Sequence, residues 1–561
     1  MSDFLKKYKV FLTLFLIVLF GAFLRFYNIS SVPVSLYWDE VASAYNAYSI
    51  AQSGKDEYGT SYPLLFRSFE DYKTPANIYL TSVIVKFLGL SEFTTRFTSA
   101  LFGSLSVLIS FFLVSELLKK QKFKDKKINI PTIALITSFL FAISPWHIQF
   151  SRTGFEANVG LFFLLTGILF LLRTINRVNY RDIIFSAIFL GISIYFYRSI
   201  QLFLPLFLLG FFIIFRKNIL DKSNLKIFLA GAMIFSAIAL PFVPSTISRE
   251  GLTRQRQTNF VSNALDEVYK TSVKIHESKN RILGNIIYNR RIVYARLFVQ
   301  NYVSHFTPKF LVEEGDVNPR HRVKGMGVFY HFEIPFLIAG LIFLFKIDRK
   351  IRSLIILWIL IAPLPAALAY PTPHALRSLN MLPMLQLLTA MGVVYLYSLT
   401  SPKLRRIFVV SLAIIITAFF IRYMYQYHFV FKYQKSAEWA DGYKQLTQYV
   451  FRVEDKYDKV VISGHYWQPY IYFLFFKQYN PQLFQKYGSK SSFDKYIFGG
   501  TSWDMKGREL GDQDLVKLSG TRNILIAFSP IEYELQKENV RKISEIRNHN
   551  NEIVFIMASL R

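Results

Sequence analysis

The sequence predicts a polytopic α-helical membrane protein with a small α/β domain at its C-terminal end. Three observations carry that prediction. Apolar runs of about 20 residues, the length of a bilayer-spanning helix, recur up to about residue 430 of the 561-residue chain. The short segments between alternate runs are rich in Lys and Arg. Beyond residue 430, short β-like runs alternate with amphipathic stretches.

Composition supports this through its distribution. The chain is 52% hydrophobic, which a soluble protein can also reach. Its 56 Phe and 34 Tyr suit aromatic belts at two membrane interfaces. The net charge of +29 would fit a nucleic-acid binder, but much of it lies in short loops between apolar runs, where membrane topology accounts for it. There is no cysteine, which excludes disulfides, zinc-thiolate sites and a cysteine nucleophile.

The N-terminus places Lys6, Lys7 and Lys9 before an apolar run ending near Tyr27. No small-x-small cleavage site follows, so the run reads as an uncleaved first helix. In all, about 11 transmembrane helices are expected: roughly 10–27, 93–118, 131–150, 157–174, 181–198, 202–216, 226–246, 331–347, 351–369, 378–398 and 406–426. With the N-terminus inside, the loops Lys119–Lys127, Arg173–Arg181, Arg216–Lys226, Lys346–Arg352 and Lys403–Arg406 are cytoplasmic, and all are basic. Residues 75–90 are apolar but short and interrupted by Lys86, so they read as a helix along the outer interface. The expected organisation is a membrane module over 1–429, with outward loops 28–92 and 247–330, followed by an extracytoplasmic α/β domain over 430–561. Its strands are expected at KVVIS (459–463), NILIAF (523–528) and EIVFIM (552–557). No internal repeat is visible.

The first loop contains YWDEVASAYNAYSIAQSG, Tyr37 to Gly54. Asp39 and Glu40 stand at a helix start, where an acid caps free N–H groups. Paired acids above a membrane can also remove a proton from a hydroxyl or hold a metal. Lys73 precedes Thr74 and Pro75; it reads either as a snorkelling lysine or as a cation for a phosphate. Arg96 opens a span in which Ser99, Ala100 and Gly103 permit close helix packing.

This pattern resembles the GT-C glycosyltransferases of family 39, which include the protein O-mannosyltransferases and the bacterial enzymes that put sugars such as aminoarabinose on lipid A. Those proteins show an Asp-Glu pair in the first outward loop, a Lys-Pro or Pro-Pro stretch, then an Arg before a small-residue helix start. Here these are Asp39-Glu40, Lys73-Thr74-Pro75 with Thr74 intervening, and Arg96. SPWHIQFSRTGFEANVGLFF (Ser144–Phe163) is similar to the family's next outward turn, with Glu156 where members often carry Asp. Tyr195–Leu206, Asn318–Gly340 and Pro371–Gly392 are similar to outward helix ends and to the last stretch of the long loop. The resemblance covers about residues 10–425.

The resemblance implies an inverting glycosyltransferase of the GT-C fold. Its donor would be a polyprenyl-phosphate sugar, and its acceptor a protein, glycolipid or polysaccharide at the outer face of the plasma membrane. Asp39 would be the base, with Glu40 orienting it or helping to hold a divalent cation. No strong ligand cluster specifies a metal. The phosphate would be met by Lys73 and by one or more outward cations among Arg152, Arg198, Arg320, His321, Arg322, His374 and Arg377, each of which alone also reads as an interface anchor, with Arg96 and Glu156 in the substrate site. A transporter or flippase of polyprenyl-linked glycans is the rival reading, but the prominent acids lie in loops rather than within spans.

Overall fold

The structure, a computed structural model, describes residues 2–123, 125, 128–277, 282, 289–434, 436–499, 521 and 523–560. Lys124, in the first loop expected inside, lies outside the described residues. The protein is a polytopic helical membrane protein, and contacts divide it into two compact units. One comprises Met1–Tyr27 with Ser99–Met424, the other Asn28–Thr98 with Tyr425–Arg561.

Each of the eleven expected apolar runs contains a helix, some interrupted by turns. Among the described residues eight helices are long and apolar enough to cross a bilayer: Lys7–Phe26, Glu92–Leu118, Glu156–Arg177, Arg198–Ile219, Lys222–Ile247, Arg349–Ala367, Leu379–Leu399 and Pro402–Tyr433. The pair Ile130–Ile143 and Pro145–Ser151, expected as one span, is bent by 57° and makes a ninth if counted as one. The other two runs form helices of only 14 and 12 residues, Tyr180–Ser193 and Glu333–Leu344. At 1.5 Å per residue these reach roughly 20 Å against a hydrocarbon core of roughly 30 Å, so apolarity alone overstates their span.

The bend has a local cause. Pro145 brings no N–H, and Ser144 caps the second segment by accepting from the backbone N–H of His147. Carbonyls freed at such a break need donors where water is scarce. Arg25, at the end of the first helix, supplies them: its guanidinium donates to Ala142 O at 3.1 Å and Phe141 O at 3.4 Å, and lies 2.6 Å from His147 Nδ1. Close packing completes the fit. Ser99 Oγ donates to Phe150 O at 2.9 Å, and a Cβ on Gly103 would lie 2.4 Å from Ser151 Oγ. Two other helices meet backbone to backbone. A Cβ on Gly340 would fall 1.9 Å from Leu388 O, and one on Gly392 1.8 Å from Phe336 O. The long loop is largely helical where described, with Arg249–Thr258, Leu265–Glu277 and Arg290–Ser304.

The second unit joins residues 28–98 to the tail. It contains the helix Trp38–Ser53, a hairpin of β1 (Phe66–Ser68) and β2 (Asp71–Lys73), and the helix Ala76–Leu88. That last helix, 13 residues long, is the segment read as too short to span. The tail carries a six-stranded mixed sheet built from β3 (Lys459–Ile462), β4 (Ser492–Phe493), β5 (Tyr496–Phe498), β6 (Ile524–Phe528), β7 (Val540–Arg547) and β8 (Ile553–Leu560), in the order β4-β5-β3-β6-β8-β7. β3 runs parallel to β5 and β6; the remaining pairs are antiparallel. The three strands legible in sequence, β3, β6 and β8, are adjacent in the sheet interior. One apolar core contains Val41, Tyr45 and Phe69 of the first loop together with Leu446, Tyr470, Phe484 and Phe555 of the tail. The sequence reading attaches the loop to the membrane module; by contacts it groups with the tail, while Ala47, Ile50, Phe66 and Ile78 form a small cluster of the loop's own.

Candidate functional site

The two acids of the first loop divide the work between them. Glu40, at the third position of the helix Trp38–Ser53, is buried and accepts from the Tyr37 backbone N–H at 3.0 Å, so Glu40 closes the helix start. It also takes two hydrogen bonds from Arg96, from Nε at 3.0 Å and Nη2 at 3.3 Å. Arg96 is 0% exposed and donates further to the carbonyls of Ile29 (2.9 Å), Pro33 (2.9 Å) and Ser35 (2.6 Å). All five guanidinium N–H groups are thus engaged, and the residue frames the loop. The sequence reading placed Arg96 in the substrate site; here its guanidinium N–H groups are turned to the loop.

Asp39, half-buried beside this frame, is left to Lys73. Lys73 Nζ lies 3.1 Å from Asp39 Oδ1 and 3.7 Å from Asp71 Oδ2. Lys73 is at the end of β2, paired across the hairpin with Phe66, so its backbone is fixed. Trp38 stacks on Trp467 with ring centroids 6.1 Å apart. The ion pair sits on fixed backbone with aromatic faces next to it in sequence.

The remaining predicted residues lie in the other unit. Arg152, also 0% exposed, donates to Leu24 O at 2.7 Å and so fastens the bent segment to the first helix. The sequence reading had placed Arg152 among the outward cations for the donor phosphate. Glu156 is half-buried in the first turn of its helix, where an acid meets free N–H groups. Arg198 opens the helix Arg198–Ile219 and donates to Gly251 O. The structure brings His321 and His374 together, with ring centroids 5.0 Å apart. Arg320 and Arg322 flank His321 in sequence; Arg322 Nη1 donates to Glu314 O at 3.2 Å, and Arg377 Nη1 to Tyr370 O at 3.3 Å.

Between the two histidines stands Asp316, fully buried, which sequence reading missed. Its Oδ2 lies 3.0 Å from His321 Nδ1 and 3.5 Å from His374 Nδ1, and accepts from Ala375 N at 2.6 Å. Burial alone would raise the Asp316 carboxyl. The facing His374 and His321 rings and the Asn318 N–H outweigh burial and hold it below the usual carboxylate range. Burial, then Arg377, pushes His374 well below the ordinary imidazole value. Burial also lowers His305 to about 4, and its Nε2 accepts from His374 N at 3.0 Å. Among the described residues, Asp316, His321 and His374 are a group with the spacing of metal ligands.

A family profile described as dolichyl-phosphate-mannose-protein mannosyltransferase matches residues 72–244. No curated protein sequence matches significantly. Among solved structures, apo ArnT from Cupriavidus metallidurans aligns over 97% of each chain at 13% identity with a TM-score of 0.55. The Archaeoglobus fulgidus oligosaccharyltransferase tethered with an acceptor peptide aligns over 99% of this chain and 74% of its own, at 14% identity and a TM-score of 0.54. The fold is that of the GT-C glycosyltransferases. ArnT bound to undecaprenyl phosphate aligns at 12% identity over 97% of each chain, with a TM-score of 0.50.

Among the buried acids that sequence reading passed over, two have environments that can be compared with their local sequence. Asp316 had a faint signal in Asp-Val-Asn-Pro, since an Asp two residues before a turn-forming Asn often accepts its N–H; here Asn318 N donates to Oδ1 at 2.7 Å. Glu57 had none. It follows the Trp38–Ser53 helix, receives the Tyr470 hydroxyl at 3.3 Å, and burial pushes its carboxyl up to about 7.

Proposed function

We propose that the protein is an inverting glycosyltransferase that takes a sugar from a polyprenyl-phosphate donor at the outer face of the cell membrane and passes it to an acceptor hydroxyl. The observation that carries this is the Asp39–Lys73 pair at 3.1 Å, held on a frame whose own charges, Glu40 and Arg96, satisfy each other. One acid and one cation, both reachable by solvent, are what the reaction needs. Asp39 takes the hydroxyl proton as the acceptor oxygen bonds the anomeric carbon from the face opposite the phosphate. The bond from that carbon to the phosphate oxygen breaks, both electrons stay on the oxygen, and Lys73 meets the developing charge. Glu40 and Arg96 act as positioning residues. The match to a dolichyl-phosphate-mannose-dependent family and the likeness to an ArnT bound to undecaprenyl phosphate support a lipid-phosphate donor.

The test is Asp39→Asn. Asparagine keeps the shape of aspartate at this half-buried place in the first helical turn but cannot accept a proton at neutral pH, so the melting temperature should hold while sugar release from polyprenyl-phosphate donors falls by roughly a hundredfold or more. Turnover at the wild-type rate would remove Asp39 as the base. Mass spectrometry of surface proteins and glycolipids, with and without the gene, identifies sugar and acceptor.

A further inference from the structure

We propose that Asp316, His321 and His374 are the three protein ligands of a bound divalent transition-metal ion, zinc by the preference of the donor set. This inference does not depend on the glycosyltransferase reading. All three residues are buried, and their ligand atoms lie within 4.8 Å of one another. A tetrahedral ion bonded at about 2.0–2.1 Å separates its donor atoms by about 3.3–3.4 Å. The carboxylate oxygen of Asp316 lies 3.0 Å from His321 Nδ1 and 3.5 Å from His374 Nδ1, on either side of that spacing. Two imidazole nitrogens and one carboxylate suit zinc and leave one vertex for water, whereas magnesium prefers oxygen donors.

A second observation points into the same site. His374 Nδ1 is buried and makes no hydrogen bond within the protein. A buried ring nitrogen without a partner costs free energy, and a metal would engage it. The supports that ligand residues usually have are present as well. Both carboxylate oxygens of Asp316 are held by backbone N–H groups, Oδ1 by Asn318 at 2.7 Å and Oδ2 by Ala375 at 2.6 Å. His305 fixes the backbone beneath His374, with Nε2 accepting from His374 N and Nδ1 facing Asn301 O at 2.9 Å. The ion would tie the end of the long loop, which carries Arg320 and Arg322, to the segment that carries Arg377.

The experiment uses the full-length protein purified in detergent, stripped with EDTA, equilibrated with zinc chloride and desalted. Elemental mass spectrometry should find one zinc per chain. Asp316→Asn, His321→Gln and His374→Gln should each lose it. His549→Gln should keep it, because His549 pairs with Asp441 elsewhere. Two measurements on the wild type stand even if a variant misfolds: zinc should raise its melting temperature, and cobalt should give the intense visible bands of a four-coordinate ion. Absence of stoichiometric zinc, retention of zinc by all three variants, or only the weak bands of six-coordinate cobalt would each overturn the proposal.

Discussion

Replacing Arg96 with Ala separates two roles that an arginine at this point could have. As a phosphate cation, its loss would weaken donor binding and leave the fold alone. As the frame described above, its loss leaves the Glu40 carboxylate buried without its counter-charge and strips donors from three carbonyls. Breaking a buried ion pair from one side costs about 3–5 kcal/mol. The unit concerned, Asn28–Thr98 with Tyr425–Arg561, has roughly 200 residues, and each kcal/mol moves the midpoint of such a unit by about 2–4 °C. The expected drop is therefore roughly 6–20 °C. Trp439, whose ring centroid lies 6.0 Å from the guanidinium carbon, is a local fluorescent reporter for heating in detergent. Combining Arg96→Met with Glu40→Gln removes both charges and should recover part of the loss. An Arg96→Ala protein that melts within about 2 °C of wild type, a shift worth under about 1 kcal/mol, would refute the frame.

Other changes probe the remaining features. Lys73→Ala should weaken donor affinity roughly ten- to hundredfold by removing a charge-assisted hydrogen bond, with melting little changed; equal affinity in a lipid-phosphate binding assay would count against its role. Glu57 has a folded value of about 7, above its unfolded 4.5. Its contribution is intact below the unfolded value and is lost as pH rises towards 7, amounting to about 3 kcal/mol at 1.36 kcal/mol per unit. Glu57→Gln should thus flatten the stability profile between those values and raise the melting temperature above pH 7; an unchanged profile would show that the carboxyl is not so buried. Gly392→Ala puts a methyl group 1.8 Å from Phe336 O, so it should lower stability by about 1–3 kcal/mol or more; a wild-type melting curve would mean that the two helices can part.

Much of the membrane unit was legible because apolar runs and basic loops are local signals. The two short helices and the bend at Pro145 were not, since run length and hydropathy do not reveal where a chain turns. Strands β3, β6 and β8 were legible as continuous apolar runs, whereas β7 carries Arg541, Lys542, Glu545 and Arg547 on a largely exposed strand and β4 has only two residues. At the site, sequence singled out Asp39, Glu40, Lys73 and Arg96, but their pairing depends on contacts such as Glu40 with Arg96, 56 residues apart. Asp316 and His374 are 58 positions apart and meet only in the folded chain, so spacing could not join them.

The core under the first loop has a consequence for how the protein is made. Tyr45 and Phe69 leave the ribosome early, but their packing partners at Tyr470 and Phe484 come roughly 400 residues later, a delay of roughly 20–80 s at about 5–20 residues per second. Through that interval the nascent chain carries its Asp39 loop with an apolar underside exposed, an opening for chaperones and proteases. A chain cut short after residue 433 would carry every candidate membrane span among the described residues and still lack the tail side chains that pack with Val41, Tyr45 and Phe69.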